Sequence, residues 1–183
     1  GDGLYDAAER NVISGNYGFG INVMGTTADT LIAGNYIGVD AGGYFGLGNS
    51  KSGVMINTGY LVTIGGIAPG MANIIAYNGG DGVTIGSDPA STSETDILVR
   101  GNSIYFNSDL GIDLGDDGVT ANDPGDTDSG PNKLQNYPLL TSAQGGASTT
   151  TVAGSLNSLP STTYWLDFYA NPNGDDSGYG EGE

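Results

Sequence analysis

The stretch NIIAYNGGDGVTI, residues 73–85, is answered 29 positions later by NSIYFNSDLGIDL, residues 102–114. Asn73 returns as Asn102, Ile75 as Ile104, Asn78 as Asn107 and Gly82 as Gly111, and an apolar–polar–apolar triplet follows each glycine. The same G-[IV]-x-[IVL] pattern occurs earlier, at Gly20-Ile21-Asn22-Val23 and Gly53-Val54-Met55-Ile56, so the steps between the four glycines are 33, 29 and 29. A second pattern, N-x-I-x-x-[ND], precedes each one: Asn11/Ile13/Asn16, Asn35/Ile37/Asp40, Asn73/Ile75/Asn78 and Asn102/Ile104/Asn107. A third apolar segment stands before three of these, at residues 30–32, 61–64 and 96–99. A period of this length marks a solenoid and takes precedence over local signals.

Each segment alternates β-branched and polar residues between Gly and Asn, which reads as a short strand, and no ten-residue stretch has apolar residues at helical spacing. Three strands per turn with like residues on like are what a parallel β-helix requires. Its isoleucines align inside, and at a strand separation of about 4.8 Å four coils rise roughly 19 Å. The expected class is all-β: a short parallel β-helix of about four coils, three strands each, plus a small C-terminal antiparallel β-sheet. The recurrent asparagines are expected to form ladders at equivalent corners, and the recurrent glycines to supply positive φ there. The run GGDGVTI resembles a calcium-binding nonapeptide. Thr84 stands where that motif needs Asp, and the copies recur at 29 rather than 9 residues, so that reading is rejected.

Composition narrows the function classes. The chain has 183 residues, 21 acidic against four basic (Arg10, Lys51, Arg100 and Lys133), for a net charge of −17. Nucleic acid and anionic membranes are bound mainly through Lys and Arg, so neither is an expected partner. With no cysteine there is no disulfide framework and no thiolate metal site; with no histidine, serine–histidine and cysteine–histidine catalysis are excluded. The apolar runs are too short to span a bilayer, so membrane insertion is not expected. The chain begins with Gly and shows no signal peptide, which suggests a mature, excised or trimmed chain. The 34 glycines among many Asn, Asp, Ser and Thr resemble extracellular repeat proteins.

The runs RNVISGN (10–16), IAGNYIGVDAGG (32–43), TIGGIAPGMANIIAYNGGDGVTI (63–85) and GIDLGDDGVTANDPGDTDSGPNKLQNYPLL (111–140) are similar to those of bacterial right-handed parallel β-helix repeat proteins. Those are large secreted or cell-surface chains of the pectin-lyase-like superfold. The resemblance implies a right-handed coil, an extracellular or bacterial cell-surface location, and a tail that opens a β-sandwich-like domain. The segments expected are a β-helix at 1–116, an acidic connector at 117–138 and a partial β-sandwich-like segment at 139–183. This superfold carries enzymes, adhesins and structural repeats alike, so it does not by itself give a function.

Two insertions interrupt the period, at residues 41–52 and 65–72. The first carries Tyr44 and Phe45, which either stack on a sugar face or fold back over an apolar patch of the coil; loops on a rigid scaffold are where recognition usually sits. After the connector, with Pro124, Pro131 and Pro138, residues 150–156 and 163–170 alternate like strands. Val152, Gly154 and Leu156 are expected to pair with Tyr164, Leu166 and Phe168 across a turn at 157–161. So small a sheet must dock on the β-helix, be completed by another chain or belong to a truncated fragment. Its open edges and uncapped coil ends make self-association the expected partnership, as a homo-oligomer or filament.

The acidic segment offers two kinds of chemistry. Asp113, Asp116 and Asp117 are the catalytic candidates, because paired carboxylates can cleave glycosides without histidine; Asp113, next to an inward Ile112, is expected to face outward and be accessible. Asp116, Asp117, Asp123, Asp126 and Asp128 are the candidate calcium ligands, since that cation takes six to eight oxygens. Asp126-Thr-Asp128-Ser-Gly130 fails the EF-hand pattern. No cofactor is required, and Ca2+ is the one considered. The first expectation is a non-catalytic extracellular structural or adhesive module that self-associates. The alternative is a carbohydrate-binding or polysaccharide-cleaving module, a lyase or glycoside hydrolase.

Overall fold

The computed structural model describes residues 9–25, 28–172 and 178–182; residues 1–8, where the sequence offers no obvious cap, lie outside them. The first coil consists of β1 (Val12–Ile13), β2 (Ile21–Val23) and β3 (Thr30–Ile32). The second has β4 (Tyr36–Ile37), β5 (Val54–Ile56), β6 (Gly59–Tyr60) and β7 (Val62–Gly65). The third has β8 (Ile74–Ala76), β9 (Val83–Ile85), β10 (Glu94–Thr95) and β11 (Leu98–Arg100), and the fourth β12 (Ser103–Tyr105) and β13 (Ile112–Leu114). These stack into the parallel sheets β1-β4-β8-β12, β2-β5-β9-β13 and β3-β7-β11, with β6 and β10 paired in a short fourth one. The chain therefore winds as a parallel β-helix.

Register places like on like. Ile13, Ile37, Ile75 and Ile104 form one column, and Val54, Val83 and Ile112 belong to another. Ile37, Ile56, Ile64, Ile75, Val83 and Ile85 are fully buried, each stabilising the stack by about 1.5–3 kcal/mol. Ile112 shares the inward row but is partly exposed, since it belongs to the last coil.

The glycines that open the repeat are there for a reason other than the expected one. Gly20, Gly53 and Gly82 do not have positive φ. A Cβ on Gly53 would lie 2.5 Å from the Ile75 side chain and 2.8 Å from both Asn78 Nδ2 and the Gly82 carbonyl oxygen; Gly20 and Gly82 meet the same three kinds of neighbour. Contact between successive coils, not backbone conformation, excludes a side chain at this column.

Two asparagine ladders run up the corners. In one, Asn11, Asn35 and Asn73 each donate through Nδ2 to the Oδ1 of the next, ending on Asn102, at 2.9–3.0 Å. In the other, Asn16 donates to Asn49, Asn49 to Asn78 and Asn78 to Asn107, at 2.7–2.9 Å. Asp40, expected as the second-coil rung, is displaced from the ladder by the insertion, and Asn49 beyond the loop takes its place. Asp40 Oδ1 instead accepts from the Tyr44 and Phe45 amides and closes the loop; those amides hold its carboxyl below the usual range.

The connector and tail fold back on the stack. Pro131 in the tight turn Pro131–Leu134 is buried, and Asn132 exchanges two hydrogen bonds with the Ile97 backbone, at 3.0 and 3.1 Å, as a further strand would. The C-terminal sheet pairs β14 (Leu139–Gly145) with β15 (Thr150–Ser155) antiparallel. The expected pairing of residues 150–156 with 163–170 does not form: 139–145 pairs with 150–155 instead, and 163–170 forms no strand. Residues 163–170 instead reach the β-helix: Arg100 makes a bidentate ion pair with Asp167, and the Gly101 amide donates to Tyr169 Oη at 3.0 Å. Farther on, Glu181 accepts from Asn107 Nδ2 at 2.8 Å and Gly182 O accepts from the Ile104 amide at 2.8 Å. The tail thus adds a rung to the second ladder and covers part of the last coil, which the sequence reading left bare. No helix among the described residues is long and apolar enough to cross a membrane.

Candidate functional site

An aromatic face lies beside the long loop. The residue preceding the ladder asparagine is Gly15 in the first coil, Tyr77 in the third and Phe106 in the fourth. All three hold positive φ, at 69°, 60° and 54°, a left-handed conformation that costs a bulky residue roughly 1–2 kcal/mol and glycine almost nothing. The rings of Tyr77 and Phe106 are 5.4 Å apart, and Tyr105 packs edge-on against both, at 5.8 and 5.5 Å. The loop crosses this side on its glycines: a Cβ on Gly43 would strike the Tyr36 ring, and one on Gly46 the Tyr77 ring. Tyr44 and Phe45 do not fold back over the coil. They stand 80% and 72% exposed, and Phe106 is 54% exposed. Sequence reading found Tyr44 and Phe45 but missed Tyr77, Tyr105 and Phe106, although the 29-residue step already aligned Tyr77 with Phe106.

A second feature is a cleft of about 510 Å³ at the end of the stack, lined by Asp81, Asp109, Asp113 and Asp116 together with Ser108, Leu110, Gly118 and Val119. Asp113 pairs with Thr84 on the outward side of its sheet, as expected, yet it is only 4% exposed. The chain turning at 115–119 covers it, and the Gly118 amide donates to Asp113 Oδ2 at 2.9 Å. Among the described residues, Asp113 Oδ1 is buried with no hydrogen-bond partner. Burial, reinforced by the charges of Asp81, Asp117 and Asp116 and opposed by the Gly118 amide, raises its carboxyl to about 6. Asp81, which sequence reading missed, accepts from the Leu110 amide at 3.0 Å and from Thr84 Oγ1 at 2.7 Å. Burial raises its carboxyl too, with Asp109 and Asp116 adding to the shift. Asp116 lines this cleft and Asp117 flanks it; the structure does not bring either into the connector cluster.

That cluster comprises Asp123, Asp126 and Asp128, whose carboxylate oxygens lie within 4.8 Å of one another. Asp126 is buried; its Oδ1 accepts from the Asn136 amide at 2.8 Å and its Oδ2 from Ser158 Oγ, beside Tyr164 Oη. Asp123 Oδ2 accepts from the Thr127 amide and hydroxyl, both at 3.1 Å. Asp123 Oδ1 and Asp128 Oδ1 are buried without partners, and desolvation, with the neighbouring Asp123 and Asp126, raises the Asp128 carboxyl. Three converging carboxylates with two unpaired oxygens suit a hard cation. The residues present fit calcium here.

Compared with protein families, curated proteins and solved structures, the chain matches none. What can be assigned is an all-β chain of parallel sheets with a small antiparallel sheet at its C-terminal end.

Proposed function

We propose that this chain is a non-catalytic adhesive module of an extracellular or bacterial cell-surface protein, of the right-handed pectin-lyase-like kind, whose aromatic face holds an uncharged glycan. The observation that carries this reading is the strained pair Tyr77 and Phe106, bulky rings kept in a left-handed conformation where the first coil has glycine. Backbone strain of this kind persists where the surrounding structure holds it, and it clusters at ligand-binding sites. With Tyr105 and the exposed Tyr44 and Phe45 beside them, these rings offer flat apolar area with polar edges, the counterpart of the C–H face of a pyranose. A net charge of −17 disfavours acidic polysaccharides. The non-catalytic part is supported by the burial of Asp113, since a general acid must reach the glycosidic oxygen. Calcium at Asp123, Asp126 and Asp128 would hold the connector against the tail.

Retention on a panel of insoluble neutral polysaccharides tests the reading. Phe106→Gly and Phe45→Ala should each weaken retention at least tenfold, while Phe106→Gly, which relieves a positive φ, should leave the melting temperature within about two degrees of the parent. Retention unchanged in both variants, or reducing sugar released by the parent and lost in Asp113→Asn, contradicts it.

Self-association is favoured by a separate observation. Nearly every residue of β14 and β15 is exposed, and a two-stranded sheet offers open edges to a second copy. Light scattering at rising concentration should show oligomers that Thr151→Pro diminishes; monomers throughout would remove this part.

A further inference from the structure

We propose that the end-of-stack cleft is a second cation site, separate from the connector cluster, in which Asp113 Oδ1 is the inner ligand of a calcium ion and Asp81, Asp109 and Asp116 surround it. Asp113 Oδ1 is buried and has no partner, although its other oxygen accepts the Gly118 amide at 2.9 Å. Buried polar atoms without partners are rare, and each calls for a specific reason. Among the described residues, none that lines the cleft supplies a cation: the four charged ones are all aspartates. Two donors beside the cleft are already used, Leu110 N by Asp81 Oδ1 and Thr84 Oγ1 by Asp81 Oδ2.

A single water cannot balance such a site. It donates two protons, whereas four carboxylates at neutral pH call for positive charge. A divalent cation answers both needs, supplying the missing partner of Oδ1 and offsetting the mutual repulsion. The cleft, at about 510 Å³, has room for the ion with several of its waters, each of which occupies about 30 Å³. Calcium suits this donor set better than magnesium, because it accepts six to eight oxygens in irregular arrangements while magnesium demands a near-ideal octahedron. The ligands come from a corner (Asp81), a strand (Asp113) and two turns (Asp109 and Asp116), an irregular set. The ion would tie the 115–119 turn to the third coil at the point where the chain leaves the β-helix.

The test is a calcium titration of the full 15N-labelled chain, followed by amide shifts and by calorimetry. Leu110 and Gly118, which donate to Asp81 and Asp113, report on the cleft; Thr127 and Asn136, which donate to Asp123 and Asp126, report on the connector. The Leu110 and Gly118 amides are expected to move on calcium addition, and to do so still in Asp123→Asn/Asp128→Asn with one calcium bound per chain. In Asp113→Asn their response should disappear, while Thr127 and Asn136 behave as in the parent. Asp116→Asn, at an exposed position, should weaken the cleft at least tenfold and keeps the test decisive if Asp113→Asn does not fold. Leu110 and Gly118 amides that stay fixed at millimolar calcium, or move equally in Asp113→Asn and Asp116→Asn, overturn the proposal. Failure at Thr127 and Asn136 alone speaks only to the connector.

Discussion

The asparagine ladders and the acidic clusters are built from side chains of one size, and they come to opposite ends. In the ladders each amide donates to the rung above and accepts from the rung below, so Asn73 and Asn78 are fully buried with their partners supplied by identical residues. A carboxylate only accepts. Where the chain brings acids near one another, around Asp113 at the end of the stack and again at Asp123, Asp126 and Asp128 in the connector, oxygens are left over. A repeating coil tolerates a buried polar column when the side chain is complementary to itself; a cluster of acids needs something from outside.

The sharpest way to break this contrast is to turn a rung into an acid. Asn78→Asp removes the donor to Asn107 and buries a charge among amides. It should cost about 4 kcal/mol in urea unfolding at neutral pH, against about 2 kcal/mol for Asn11→Asp at the partly exposed start of the other ladder. Equal costs would mean that the ladder is not the buried unit described here. Next in size is Gly53→Ala, which should lose about 3 kcal/mol through contact with Ile75 and the Gly82 carbonyl. The same change at Gly25, with open space around it, should cost about 1 kcal/mol through its positive φ alone.

On the acidic side the expected effect depends on pH. The Asp113 carboxyl is raised to about 6 from an ordinary 3.8, so its protonated form favours folding. That stabilisation is full below about 3.8 and is lost as pH rises through about 6. The groups facing it, Asp81, Asp109, Asp116 and Asp117, are all acidic, and the raised Asp81 works in the same direction. In calcium-free buffer, stability should fall by on the order of 2 kcal/mol between pH 4.5 and 7.5, and Asp113→Asn should flatten the profile. An unchanged slope in that variant assigns the loss elsewhere. The lowered Asp167 carboxyl, paired with Arg100, acts in the opposite sense and below this window. The smallest effect is a gain. Glu94 is fully buried with neither carboxylate oxygen partnered, so Glu94→Met should raise stability by about 1 kcal/mol, read as a higher midpoint in urea.

The periodic part of the molecule was legible because its rule is periodic. The isoleucine columns, both ladders and the coil count follow from the 29-residue step, and a single shift of rung, from Asp40 to Asn49, marks where an insertion broke the count. What the step could not convey is what happens where repetition stops. The alternation of 150–156 and 163–170 pointed to the wrong partner: 139–145, LLTSAQG, carries no such alternation yet pairs with 150–155, while 163–170 is drawn to the β-helix through Arg100–Asp167 and Tyr169. Glu181 as a further rung lies 74 residues from Asn107, with no repeat to announce it. Of the candidate site, Tyr44, Phe45 and the acids were visible as residue types. That Asp113 is covered, and that Tyr77 and Phe106 are strained, required the backbone.

On the proposed reading the aromatic face, and not the acidic cleft, meets the ligand. Two-dimensional NMR of the labelled chain with a neutral oligosaccharide taken from whichever polysaccharide retains it measures this directly. Shifts are expected to concentrate at Tyr44, Phe45, Tyr77, Tyr105 and Phe106 and to leave Leu110 and Gly118 unmoved. Shifts centred on Leu110, Asp113 and Gly118, with the aromatic face silent, would contradict it.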